Sequence, residues 1–165
     1  MAFDVFMKME GIDGECTDDK HADWVEILSF SHAVTQSGSG SVSSGGSRTA
    51  ERCDHSDFSI VKSMDKASPK LALYCSNGEH IPTVLMELCR AGGDKNVYMK
   101  YTLEDAVVTS YSPGGSAQGG EALPMEEVSF AYGKIKWTYT ETDHATGKPK
   151  GNVEAHWDLH LNTGG

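Results

Sequence analysis

Asn152-Val153-Glu154-Ala155-His156-Trp157-Asp158-Leu159-His160-Leu161 alternates without a break. Val153, Ala155, Trp157, Leu159 and Leu161 fall on one parity and polar or charged residues on the other. That is the pattern of a strand with one face in a core and one in water. The same period recurs upstream. In the segment 125–141, Val128, Phe130 and Tyr132 share even parity, whereas Ile135, Trp137 and Tyr139 share odd parity. The switch falls at Gly133, where a bulge or barrel corner reconciles the two halves. Residues 2–9 place Phe3, Val5, Met7 and Met9 on one face and Asp4, Phe6 and Lys8 on the other. The segment 24–34 starts apolar on both parities, then opens to a polar face at Ser29 and Ser31. Further strand-like segments lie near 58–63, 79–90 and 96–110, with a Gly-rich turn at 113–120.

One helix interrupts this series. Ser68 reads as its N-cap, Pro69 as its first helical position and Gly78 as its exit, with Leu71, Leu73, Tyr74 and Cys75 between them. That spacing predicts about three turns. Seven or eight strands and one helix imply a mainly β chain: a small antiparallel β-barrel of two packed sheets with one short flanking α-helix. From 37 to 47 every residue except Val42 is Gly or Ser. This long extended Gly/Ser loop cannot build a core of its own and is expected to gain order only against a partner.

Composition agrees with a single domain over residues 1–165. A chain of 165 residues and 17.8 kDa buries roughly 68–70% of its unfolded surface around one core. With 38% hydrophobic and 23% charged residues it is too apolar for disorder. The 24 acidic and 14 basic residues leave a net charge of −10, so phosphate backbones and anionic membranes repel it. No window offers the ~20 apolar residues of a spanning helix. The opening Met1-Ala2-Phe3-Asp4-Val5-Phe6-Met7-Lys8 carries charges where a cleavable signal peptide has an apolar run. The spacing of Cys16, Cys53, Cys75 and Cys89 suits neither a close zinc pair nor a dense disulfide framework, so reduced thiols in a cytoplasm are expected.

Patterns that carry catalysis are weak. On a strand, His156 and His160 stand roughly 13 Å apart, too far to share a zinc that lies about 2 Å from each ligand. Cys53-Asp54-His55 pairs a thiol with an imidazole but lacks an orienting carboxylate. Ser63-Met64-Asp65-Lys66 matches Ser-x-x-Lys without its companion elements. Adjacent Glu126 and Glu127 point to opposite faces of a strand, so they cannot flank one glycosidic bond; they read as a solvated flank and its neighbour. No Gly-rich stretch ends in Gly-Lys-Ser/Thr, the phosphate-loop signature. No catalytic, cofactor or metal site is expected. The unusual features are the Gly/Ser loop, the polar strand faces and the acidic surface, which suit a scaffold or assembly subunit.

The chain resembles the haemolysin-coregulated protein (Hcp) family, the inner tube of the bacterial type VI secretion system. The resemblance is carried by the opening residues 1–8, by Gly11 to Glu15 and His21-Ala22, and by Thr35-Gln36-Ser37-Gly38. It continues through Lys66-Ala67-Ser68-Pro69-Lys70-Leu71, Cys75-Ser76-Asn77-Gly78, Ala91-Gly92-Gly93 and Val128-Ser129-Phe130. It implies six copies closing into a ring, rings stacking into a hollow tube, and a contractile sheath driving tube and spike out of the cell, some effectors riding in the lumen. It therefore implies a structural, secreted, non-enzymatic protein whose partners are its own copies, sheath, spike and effectors. Contacts between subunits or rings are assigned to Gln36, Ser37, Gly38, Ser39, Gly40, Ser41, Val42, Ser43, Ser44, Gly45, Gly46, Ser47 and Arg48. Ser29 and Ser31 are assigned to the lumen and its cargo. The alternative is a monomeric β-barrel that binds a ligand or effector without polymerising.

Overall fold

The computed structural model describes residues 3–36, 38–39, 49–50, 52–92, 95–120 and 123–165. Their elements are β1 (Phe3–Met9), β2 (Val25–Ile27), β3 (Ser29–Ser31), β4 (Val34–Thr35), β5 (Gly38–Ser39), β6 (Thr49–Ala50), β7 (Asp54–His55) and β8 (Phe58–Ser63). Then come α1 (Ser68–Asn77), β9 (His80–Arg90), β10 (Val97–Gly114), β11 (Met125–Ala131), β12 (Lys134–Thr142), β13 (Pro149–Asp158) and β14 (Thr163–Gly164).

β10 organises the sheet. One of its edges pairs with β9; its other edge pairs first with β12 and then, beyond Asp105, with β11. The segment 125–142 is thus one long strand partner of β10, broken at Tyr132 and Gly133 where the parity of the sequence switches. Gly133 donates its amide to the carbonyl oxygens of Glu104 and Asp105, and Asp105 itself takes φ 53°. Here the sheet bends into two layers.

In one layer, antiparallel register builds apolar rows across the strands. Ile27, Val5, Leu88, Met99, Tyr139 and Val153 form one row; Val25, Met7, Met86, Tyr101, Trp137 and Ala155 form the next. The other layer contributes Phe30, Ile60 and Val128, and beside them Phe58, Phe130 and Val108. Phe30 and Phe58 meet Tyr101 across the gap with ring centroids 5.8 and 5.3 Å apart, and residues of both layers form one buried cluster.

The structure corrects four expectations. The strand order runs β14-β13-β12-β10-β11-β8-β3, with β9, β1 and β2 branching from β10, and is open rather than a closed barrel. Leu28, whose amide donates to the Val61 carbonyl oxygen, separates β2, paired with β1, from β3, paired with β8. Ser68 is not the N-cap; Ala67 holds that position, because the Ser68 hydroxyl is used by the Asp65 amide and by Lys62. The expected exit does hold, Gly78 closing α1 at φ 70° as an αL cap.

The last strand stops at Asp158, whose Oδ1 accepts the amides of His160 and Leu161 and turns the chain. Val153 and Leu161, expected in the core, are 71% and 73% exposed. Finally, Glu126 is not solvated. Its side chain is fully buried and its Oε2 lies 2.6 Å from Nζ of Lys62, also fully buried. Lys62 reaches Asp65 Oδ1 at 2.9 Å and Ser68 Oγ at 3.3 Å, and the Tyr111 hydroxyl donates to Glu126 Oε1 at 2.6 Å. Burial would raise the Glu126 carboxyl, but hydrogen bonds from Lys62 and Tyr111 outweigh it and hold it below its ordinary value. Burial, then Glu126, pushes the Tyr111 phenol up to about 12.

This cluster ties the start of α1 to β8 and β11. Lys62→Met leaves a buried carboxylate without its cation and is expected to destabilise the fold by about 3–5 kcal/mol, whereas Lys62→Met with Glu126→Leu recovers most of that loss. Urea unfolding at one protein concentration measures both; equal losses in the two variants would contradict the assignment.

Candidate assembly surfaces

Three surfaces follow from this frame. The first is the outer side of β3, β8, β11 and β10. Alternation turns Phe30 inward and Ser29 and Ser31 outward, and both serines are exposed. Register then sets Ser31 beside Ser59, Ser59 beside Ser129 and Ser129 beside Ser110. The Ser59 and Ser129 hydroxyls are 2.9 Å apart. In the next row Ser29 meets Val61, Glu127 and Ser112. A hydroxyl-lined strip results, of which sequence reading found only Ser29 and Ser31. The others lie on strands whose pairing no local pattern discloses.

The second surface is an arm. Val34 and Thr35 pair with His55 and Asp54, and Gly38 and Ser39 with Ala50 and Thr49, so the described parts of this segment leave the body as a two-stranded ribbon. Gln36 is exposed at its edge. Ser37 and residues 40–48, the rest of the expected contact loop, lie outside the described residues.

The arm is rooted by Tyr132, whose hydroxyl is 2.6 Å from His32 Nε2 and 2.8 Å from His55 Nδ1. The His55 ring stacks on Trp137, with centroids 6.4 Å apart. Burial lowers both histidines below their ordinary value, and His55 lowers His32 further. Burial likewise pushes the Tyr132 phenol well up. Beside this root a cleft of about 330 Å³ is lined by Val34, Arg52, Cys53, His55, Trp137 and Trp157 among others. Among the described residues, the buried indole Nε1 of Trp157 has no hydrogen-bond partner. Cys53 is a half-buried free thiol, and the nearby His55 ring nitrogen Nδ1 is engaged by Tyr132.

The third surface is the uncovered end of an apolar row. Ile27, Val5 and Leu88 are 4%, 3% and 6% exposed, but Tyr139 and Val153 at the other end reach 45% and 71%. The hairpin β12–β13 outruns the layer that would cover it. His160, exposed, lies 3.4 Å from Asp105 Oδ2, with His80 Nδ1 at 2.6 Å from Oδ1; these histidines, His80 first, hold the Asp105 carboxyl below its ordinary value. Lys66, by contrast, is simply exposed. Among the described residues, no helix is long and apolar enough to cross a membrane.

Comparison with known proteins gives a consistent picture. The family model described as type VI secretion system effector, Hcp, matches residues 6–139. Protein hcp1 of Pseudomonas aeruginosa is 34% identical over 163 residues, covering 98% of each chain. A solved structure described as a type six secretion system protein superposes with a TM-score of 0.93 at 34% identity, covering 99% of this chain and 100% of that one. The crystal structure of Hcp1 from Salmonella typhimurium follows at 0.80 and 31%, covering 99% of each.

The arm root has a pH signature. His32 and His55 titrate lower in the folded chain, so below their ordinary value near 6.5 the unfolded chain binds more protons and stability falls with pH. Melting temperatures measured from pH 7 to 5 are expected to decline. The decline should flatten in a His32→Gln/His55→Gln variant; an unchanged slope would show that the root histidines are not its source.

Proposed function

The chain belongs to the Hcp family of type VI secretion proteins, and from that premise we propose that it is the repeating subunit of six-membered rings stacked into the system's inner tube. The observation that carries this reading is the apolar row ending in Tyr139 and Val153. A row that begins in the core and ends in water is completed when another copy covers it. A ring needs such a heterologous contact, in which one patch meets a different patch on the next copy. At ~25 cal/mol per Å² of apolar surface removed from water, covering side chains of this size favours closure.

The arm serves the second contact. Its described strands, 34–35 with 54–55 and 38–39 with 49–50, are rooted by His32, His55 and Tyr132, and Gln36 with the Gly/Ser stretch 37–48 supplies contacts to the next copy or the next ring. The serine strip from Ser29 and Ser31 to Ser110 and Ser112 faces the lumen. Hydroxyls hydrogen-bond a passing protein in either direction, with Glu127 as the one charged residue of the two rows, which suits an effector carrier that must release its cargo. Residues 1–165 act as one structural unit without catalysis, made in the cytoplasm and exported with the spike by the contracting sheath.

Light scattering on a sizing column is expected to give about 107 kDa, six chains of 17.8 kDa, with ring-shaped particles in negative stain. Val153→Glu should shift the mass toward 18 kDa with the circular dichroism spectrum retained, since the side chain is exposed. A ring that survives Val153→Glu would remove this row from the interface, and a wild-type monomer at all concentrations would favour a non-polymerising binding protein. Deleting residues 38–46 should leave rings at 107 kDa but abolish longer tubes; tubes of normal length would take that role from the arm.

A further inference from the structure

On the outer side of β9, alternation sets Glu87 and Cys89 next to each other, and register places Phe6 and Asp4 of β1 beside them. The connection between β1 and β2 folds over this patch. Its own backbone bonds hold it: Gly14 and Cys16 donate to Asp23 and Trp24, Asp23 donates back to Cys16, and Trp24 donates to His21. The His21 ring is thereby pinned, 1% exposed, stacked on Phe6 at a centroid distance of 4.2 Å with Trp24 at its edge.

His21 Nε2 lies 3.1 Å from Glu87 Oε2 and 3.9 Å from Cys89 Sγ, and the three ligand atoms all lie within 4.8 Å of one another. Its other nitrogen, Nδ1, lies 2.8 Å from Asp18 Oδ2. We propose that His21, Glu87 and Cys89 form a binding site for a borderline-soft divalent cation, Zn²⁺ in the first instance, with Asp18 as the positioning residue.

The geometry suits that ion. Tetrahedral zinc at ~2.1 Å from nitrogen or oxygen and ~2.3 Å from sulfur separates its ligand atoms by about 3.3–3.7 Å. The nitrogen–oxygen and nitrogen–sulfur distances here bracket that range, so small side-chain shifts bring the three atoms onto one metal. One nitrogen, one oxygen and one sulfur ligand favour zinc over the hard cations, which take oxygen alone. The carboxylate on Nδ1 is the usual outer partner of a metal-bound histidine, fixing its tautomer and ring orientation. Solvent supplies the fourth ligand.

The opposing charges are two lysines. Lys95 Nζ lies 2.6 Å from Asp18 Oδ1, and Lys100 Nζ lies 3.9 Å from Glu87 Oε1. Each uses the carboxylate oxygen that does not face His21, so neither occupies the metal position. Burial first, then Glu87, raises the Cys89 thiol to about 11. A metal-bound Cys89 is a thiolate, so binding releases the thiol proton to solvent.

The test uses the full chain and the metals alone. Co²⁺ titration is expected to yield one equivalent per chain with a thiolate-to-cobalt charge-transfer band that Zn²⁺ abolishes by competition. Cys89→Ser should eliminate the band with the fold retained, and Asp18→Asn should weaken binding by about tenfold or more. In wild-type protein labelled with isotopic nitrogen in histidine, one equivalent of Zn²⁺ should shift the ring signals of His21, a readout that needs no variant. Absence of the band, its persistence in Cys89→Ser through Cys16, Cys53 or Cys75, or an unmoved His21 spectrum would each overturn the site. None of these readouts depends on ring formation.

Discussion

At Asp105 the 18-residue strand β10 takes a left-handed φ of 53°, and opposite it Gly133 offers one amide to two successive carbonyl oxygens. A side chain on Gly133 would meet the exposed His160 ring and crowd the exposed Asp105 carboxylate, both of which would have to move aside. The bend lets one edge of β10 pair with β12 before it and β11 after it. Two layers then face each other around one buried cluster. Core, serine strip and uncovered hairpin all take their positions from that point.

The interior is not purely apolar. Lys62 and Glu126 sit fully buried where α1 meets the sheet, their charges balanced by each other and by Asp65, Ser68 and Tyr111. Such a pair adds less net stability than an apolar substitute of the same volume. It does confine the start of the helix to one place, because any other docking leaves a buried charge unmatched. A second buried polar group, His21, is satisfied on both ring nitrogens by carboxylates. It anchors the β1–β2 connection to the outside of the sheet, as Lys62 anchors α1.

The assembly surfaces arise where regular patterns outrun the body that supports them. The inward parity of β12 and β13 continues past the covering layer, leaving Tyr139 and Val153 in water. The arm leaves as a ribbon from a root of buried rings. Such features leave apolar surface of the chain uncovered.

Much of this was legible locally. Period two located the longer strands and the inward parity of the 125–141 segment, the parity switch located the corner at Gly133, and Pro69 and Gly78 bounded the helix, because each depends on the conformation of a few neighbouring residues. Family membership was legible too, in an ordered run of short motifs spread along the chain. Glu126 shows the limit. Its buried state depends on Lys62, 64 residues away, and no local pattern registers that partner. Val153 shows it in reverse: alternation says which way a side chain points, but only the tertiary structure decides whether anything lies in that direction. The serine strip and the His21, Glu87 and Cys89 cluster belong to the same class, since strand register brings together residues that are far apart in the chain.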